Sequence, residues 1–318
     1  GNIFLTPTQY LLDGRLATAT ENPAEPYLFS EAFEYKDYWA VKTLASIAAL
    51  PYSLTAGVFT KSIAFLVSQE TRKRHERIHL SNALSLISLN NDFYRNSGID
   101  LETKEEISSD RIIYPRRPGD ENILKEGKEA LKAIVTILDK EQVPYWVDVG
   151  TCLGVYRHNG VIPWDNDIDI AVLLPDFQNV KRALQQLDSS KFVVQDWSSR
   201  GNPNTYLKVW VKESGLLIDI YHYVVDTENG TLNYFLSNEY NIFLTESWRA
   251  RERKYTAPVP IDMIFPLRKG TLDGIDVYVP NKTKEYLEFR YQGNIDPCMV
   301  FNTKTNQYEK DESHPYWQ

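Results

Sequence analysis

Cysteine is scarce in this sequence: Cys152 and Cys298 are the only two among 318 residues. A pair of cysteines builds neither a disulfide framework nor a thiolate zinc site, and it leaves the compartment open. Positive charge is in deficit, with 35 lysines and arginines against 43 aspartates and glutamates and a net charge of −8. General nucleic-acid binding needs clustered cations and is excluded by that balance, whereas a local basic pocket for a small phosphorylated ligand is not. A long apolar run is also missing. The nearest approach, Thr43 to Thr60 between Lys42 and Lys61, is diluted by alanine and hydroxyl residues and contains Pro51 and Gly57. A spanning helix wants about 20 strongly apolar residues. The stretch reads as two helices broken at Pro51-Tyr52-Ser53, packed on protein or lying on a membrane surface, so the chain is expected to be soluble, with peripheral membrane contact through its N-terminal region as the alternative. It opens on Gly1-Asn2 and reads as a trimmed sequence from which a targeting segment can be missing; a bacterial cytoplasm and a Golgi lumen are both compatible with it.

What is present is a globular composition, 42% apolar and 25% charged, enough for one large domain or a catalytic domain with a smaller companion. Residues 1–115 read as a mostly helical extension, with an apolar face from Glu76 to Tyr94 and a solvated basic run at Arg72-Lys73-Arg74-His75. The prolines and glycine of Tyr114 to Asp120 mark a linker. Residues 116–300 then alternate between helical and strand-like patterns. Helices are expected at Asn122–Glu141, Thr151–His158, from a capping Asp176 to about Leu187, and at Lys282–Tyr291. Strands are expected at Tyr145–Val149, Asp167–Leu174, Lys191–Gln195, Tyr206–Lys212, Leu216–Val225 and Gly274–Val279. This order predicts an α/β (α+β) fold, a mixed sheet with helices on it. Residues 301–318 read as an extended polar tail.

The chemistry concentrates in Val149-Gly-Thr-Cys-Leu-Gly and, shortly after, Pro163-Trp-Asp-Asn-Asp-Ile-Asp-Ile170. Asp165, Asp167 and Asp169 alternate along a buried strand and so project to one face. Like charges there repel and lose hydration, and hard divalent cations such as Mg2+ or Mn2+ are the usual partners of clustered carboxylates. Residues two apart on a strand are about 6.6 Å apart, which makes Asp167 and Asp169 the metal pair. Asp165, at the strand mouth, binds through water or bends inward. Asp219, a lone acid in the apolar run Leu216-Leu-Ile-Asp-Ile220, is the third carboxylate, provided that its strand neighbours that of Asp167 and Asp169; the competing role is a strand-end acid held by an arginine. Gly150-Thr151, between a strand and a helix start, offers backbone amides and a hydroxyl to a phosphate.

This arrangement resembles the nucleotidyltransferase superfamily. More narrowly, Gly150-Thr-Cys-Leu-Gly, Tyr156-Arg-His and Ile162-Pro-Trp-Asp-Asn-Asp-Ile-Asp resemble the LicD and fukutin family, over roughly residues 125–292, with Asp148 before Gly150 also fitting. The resemblance implies a nucleotidyltransferase-like core and a metal-dependent transfer of a phospho-alcohol group, phosphocholine or a pentitol phosphate, from a CDP-activated donor to a glycan or other hydroxyl acceptor. It assigns Asp167, Asp169 and Asp219 to the metal, with Asp165 as leading acid, and Gly150, Thr151 and Arg157 to the donor phosphates. Asp219 can also take the acceptor's proton, and Arg157 either clamps a phosphate or pairs with a site aspartate. Lys208 reaches the donor phosphates or is simply solvated. Trp164 and Tyr156 stack a base or fill core, His158 and His222 are bases or packing residues, and Cys152 is a small buried residue. Two other functions fit the residues: transfer of a nucleoside monophosphate to a small molecule or protein, and a binding module that has lost turnover.

Overall fold

The structure, a computed structural model, describes residues 39–64, 91–103, 107, 111–196, 206–234, 250 and 255–317. The chain divides into two units, residues 1–80 and 81–318. In the first, helix α1 (Trp39–Ala64) runs unbroken through Pro51, in place of the two helices expected. Proline removes one backbone donor, but the flanking alanines and leucines favour helix, and the Thr55 hydroxyl bonds back to the Pro51 carbonyl at 2.8 Å. Among its residues with described side chains, Ser53 and Gly57 are buried, while Leu44, Ile47, Tyr52, Leu54, Val58 and Phe59 are exposed. No helix among the described residues is long and apolar enough to cross a membrane. The basic run at Arg72 and most of the helix expected from Glu76 lie outside the described residues.

The second unit begins with α2 (Asn91–Asn96) and α3 (Lys125–Lys140). In α3, Leu131, Ile134, Val135 and Leu138 recur at helical spacing and are buried together, as their pattern predicts. There follow β1 (Tyr145–Val147), α4 (Val149–His158), β2 (Ile168–Leu173), α5 (Phe177–Leu184), β3 (Phe192–Asp196), β4 (Tyr206–Val211) and β5 (Leu217–Asp226). These strands form one mixed sheet in the order β1-β2-β5-β4-β3, extended from β5 by β6 (Thr231–Asn233) and β7 (Val259–Pro260). Strands β2 and β5 are parallel and central; β1, β4 and β3 join antiparallel. The period of two divides the side chains cleanly. Ile168, Ile170, Val172, Ile218, Ile220, Leu207, Val209 and Val211 point to one buried face, where α3 lies against β4 and β5. The alternate positions point to the other face, where α4 packs on β2.

Asp176 stands at the start of α5 without making the expected capping bond. Its buried carboxylate instead accepts from the Tyr94 hydroxyl of α2 and, at 3.3 Å, from Asn179 Nδ2, which ties α2 to α5. After a short α6 (Ile261–Ile264) come the hairpin β8 (Arg268–Leu272) and β9 (Ile275–Val279), and then α7 (Thr283–Tyr291). Sequence pattern reveals β9 and α7 but not β8, whose Arg-Lys-Gly-Thr composition hides a strand. At the hairpin turn, Asp273 binds Arg116 and, at 3.0 Å, Lys128, which pins the prolyl segment after Tyr114 to α3. The residues expected as an extended polar tail fold back: β10 (Met299–Asn302) and β11 (Gln307–Lys310) form a hairpin. Tyr308 anchors it by donating to Asp120 Oδ2 at 2.6 Å, a bond between residues too far apart in sequence for local patterning to show.

Candidate functional site

The strand register places a line of polar side chains across the sheet. Asp169 on β2 pairs with Asp219 on β5, Asp219 with Lys208 on β4, and Lys208 with Gln195 on β3. Cross-strand partners share a face, so all four project from the side that carries α4. Asp148 lengthens the line at the end of β1, its N–H donating to the Asp169 carbonyl at 3.0 Å. Asp219, the third carboxylate, thus lies on the strand beside that of Asp169 and on the same face. His222, three residues on, points to the opposite face, its ring tilted against Phe177 with centroids 4.7 Å apart, so it is a packing residue.

Burial and the neighbouring carboxylates of Asp167, Asp219, Asp148 and Asp165 hold the Asp169 carboxyl well above the usual range. Strand β2 starts at Ile168 rather than Asp167, which leaves Asp167 exposed at the mouth. Asp165 lies in the turn before it, where its N–H donates to the Ile162 carbonyl at 2.9 Å, and its carboxyl bends inward. That carboxyl is pushed up to about 7 by burial, by the charge of Asp167 and by a hydrogen bond with Asp167. It also bears on Gly150: a Cβ there would sit 2.9 Å from Asp165 Oδ2, so a side chain at this position would have to displace the acid.

Asp219 Oδ1 lies 2.8 Å from Lys208 Nζ, with both side chains 12% exposed. The contact is close in distance without hydrogen-bonding angles, and among the described residues this oxygen has no hydrogen-bond partner. Asp219 Oδ2 accepts from the Tyr221 hydroxyl at 3.3 Å, and the Tyr221 ring stacks on Tyr206 at 4.9 Å. Lys208 is therefore neither solvated nor remote from the acids. It neutralises one of them.

The start of α4 is set by Asp148 and Val149. The Asp148 carboxylate accepts from Val149 N–H at 2.9 Å, and Val149, β-branched, is held at φ +32°, a costly conformation for such a residue. The amides of Gly150 and Thr151 fall in the first turn, where no intrahelical acceptor exists. Thr151 Oγ1 accepts from the Asp169 N–H at 2.8 Å. Its own proton remains available for an anion, and the same bond locks the helix start to the strand of acids.

Beneath this lies a network that motif reading misses. Asp148, 1% exposed, also accepts from the hydroxyls of Tyr223, at 2.8 Å, and Tyr286. Arg290 donates to those two hydroxyls at 3.0 and 3.3 Å and to the carbonyls of Tyr255 and Ala257 at 2.6 and 3.2 Å. The one signal in the sequence is the helical spacing of Tyr286 and Arg290, and nothing local joins them to Asp148.

Arg157 is not brought to the acids. Its guanidinium is buried and donates to the carbonyls of Ile295 and, at 2.9 Å, Asp296, fastening α4 to the segment after α7; burial lowers its pKa. His158 Nδ1 lies 2.8 Å from the Tyr114 carbonyl, a packing role. Trp164, 49% exposed, meets Tyr308 edge-on at 5.6 Å, and Cys152 is fully buried.

Among the described residues, no group of three or more His, Cys, Asp or Glu side chains is arranged to hold a metal ion. The donor set nevertheless suits a hard divalent cation in kind. It consists of carboxylate oxygens on one face, with Asp169 crowded by four other acids and Asp219 Oδ1 lacking a hydrogen-bond partner among the described residues. As they stand, Asp165 is engaged with Asp167 and Asp219 with Lys208.

A model of the LicD/FKTN/FKRP nucleotidyltransferase domain matches residues 142–282, the span that contains every acid of the site. An uncharacterized protein of Rickettsia prowazekii is 28% identical over 186 residues, 54% of this chain and 61% of that protein. The human ribitol 5-phosphate transferase FKRP is 22% identical over 184 residues, 56% of this chain and 34% of its own length. The human ribitol-5-phosphate transferase FKTN is 38% identical over 55 residues, 17% of this chain and 12% of its own. The chain thus spans less than two thirds of each of these relatives. Residues 142–282, on which register, site and similarity converge, are thus similar to the LicD/FKTN/FKRP nucleotidyltransferase domain.

Proposed function

We propose that this protein is a divalent-metal-dependent transferase that moves a phospho-alcohol group, phosphocholine or a pentitol phosphate, from a CDP-activated donor to a hydroxyl of a glycan-type acceptor. The observation that carries the reading is the pairing of Asp169 with Asp219 on adjacent strands, beside a helix start whose Thr151 hydroxyl bonds to Asp169. Relatives named as ribitol-phosphate transferases favour a phospho-alcohol over a nucleotide as the group moved.

Asp167, Asp169 and Asp219 would hold Mg2+ or Mn2+, with Asp165 behind them. Such an ion supplies charge neutralisation of the diphosphate and of the departing CMP. The chain's own groups supply the rest. The amides of Gly150 and Thr151 and the Thr151 hydroxyl hold non-bridging phosphate oxygens at the positive end of α4. The acceptor oxygen bonds to the phosphorus bearing the alcohol, the bond from that phosphorus to the bridging oxygen breaks, and CMP leaves with the electron pair. The acceptor's proton passes to a site carboxylate, Asp219 by position.

The test is incubation with CDP-ribitol, CDP-choline, CTP or ATP and Mn2+, with a panel of glycans, following CMP and pyrophosphate. CMP release from a CDP conjugate, lost in Asp167→Ala and Asp219→Ala, is expected. Pyrophosphate release from a plain nucleotide rejects this reading for nucleotidyl transfer. Binding without turnover, unaffected by Asp167→Ala, rejects it for a binding module.

A further inference from the structure

We propose that Lys208 is an exchangeable counter-ion: its ammonium neutralises Asp219 until a divalent cation takes that carboxylate, and it then turns to the phosphates of the donor. The inference rests on the metal-dependent reading above and adds to it a step made by the protein alone.

The contact that carries it is Lys208 Nζ to Asp219 Oδ1 at 2.8 Å, with both side chains 12% exposed. An acid this enclosed, in register with Asp169 on its other side, needs a cation at all times. Removing one partner of a buried pair leaves an uncompensated charge. Lysine suits an interim role. Its charge sits on a flexible four-carbon stem and can leave without unmaking the planar fork that an arginine would form. A divalent ion outcompetes it, because it faces several of the clustered carboxylates at once whereas the ammonium holds one. The Tyr221 hydroxyl on Asp219 Oδ2 gives the carboxylate a second hold that survives the exchange. Once displaced, the ammonium remains on β4, in the same cross-strand line as the acids, where a bound diphosphate restores the negative charge it has lost. Pairing with the acid and binding the donor, which look like alternatives for this lysine, become successive states.

Two measurements test this. Calorimetric titration with Mn2+ alone compares wild type, Lys208→Met and Lys208→Arg, followed by CDP titrated into the Mn2+-saturated proteins. Lys208→Met is expected to bind Mn2+ about tenfold more tightly than wild type and CDP about tenfold more weakly, each about the effect of one unit charge at a half-screened site. Lys208→Arg is expected to bind Mn2+ no more tightly than wild type. Acetylation of wild-type lysines, read by mass spectrometry, needs no variant to fold. Lys208 should react faster when Mn2+ is added and slower again when CDP follows. Equal or weaker Mn2+ binding by Lys208→Met, or Lys208 reactivity unchanged by Mn2+, overturns the exchange while leaving the metal reading intact. Wild type that binds no Mn2+ at all overturns both.

Discussion

Asp169 and Asp219, fifty residues apart in sequence, are paired positions on two adjacent parallel strands, which sets their backbones about 4.8 Å apart with both side chains on one face. Burial and this crowding hold the Asp169 carboxyl well above its ordinary range. Its neutral form is favoured in the folded state, so the associated stability is present below the unfolded carboxyl value and is lost as pH rises through the folded one. Asp169→Asn removes the charge and keeps the shape. In EDTA the variant should melt a few degrees higher than wild type at pH 8, with the advantage shrinking toward pH 4. Transfer should fall by at least about a thousandfold. Melting below wild type at pH 8 would show that the acid is stabilised by a partner other than a cation.

Thr151 is expected to matter twice, as the acceptor of the Asp169 N–H and as a hydroxyl donor at the helix start. Thr151→Val preserves volume and leaves that buried N–H without a partner, at a cost of about 1–3 kcal/mol. Thr151→Ser restores both functions. Chemical denaturation should rank Val below Ser and wild type, and donor titrations should show the valine variant binding CDP about tenfold more weakly. A valine variant that matches the serine variant in both assays removes Thr151 from the site.

Asp176 supplies a pH dependence far from the chemistry. Burial pushes its carboxyl up to about 6, despite the donors Tyr94 and Asn179. A raised carboxyl is worth most below about pH 4 and loses its contribution as pH climbs through 6, a loss of about 3 kcal/mol for a shift of this size. Asp176→Asn keeps an oxygen for the Tyr94 hydroxyl and does not titrate. The difference in unfolding free energy, variant minus wild type, should therefore rise between pH 4 and 7 and level off above. A flat difference would mean that Asp176 is solvated.

The fold's framework was legible where its determinants are local. The helical recurrence of Leu131, Ile134, Val135 and Leu138, and the alternation of Tyr206 to Val211, specify both an element and its buried face. The acids were legible for a related reason: a carboxylate inside an apolar run loses its hydration wherever that run is buried, and so demands a partner. Illegible features depend on pairing between distant segments. The partner of Lys208 follows from β4–β5 register, and the carbonyls that hold Arg157 come from the segment after α7. Tyr308 gives the final residues a fold by bonding to Asp120. Pro51 misleads in the opposite direction, since a strong local breaker yields to an alanine-rich helix around it.

Arg290 is where such a distant contact should prove costly. It is 1% exposed, and its guanidinium divides four hydrogen bonds between the hydroxyls of Tyr223 and Tyr286 and the carbonyls of Tyr255 and Ala257. Both hydroxyls in turn donate to Asp148, whose carboxylate also fixes the Val149 amide at the start of α4. Arg290→Met strips the cation from a buried acid and should destabilise the protein by about 3–5 kcal/mol. Arg290→Lys should recover little, because three rotatable donors cannot reproduce a planar fork shared among four acceptors. Adding Asp148→Asn to Arg290→Met removes the stranded charge and should restore part of the loss, giving a coupling of at least about 1 kcal/mol in a double-mutant cycle. Additive losses would mean that the arginine serves only the two carbonyls and that the tyrosines hold Asp148 unaided.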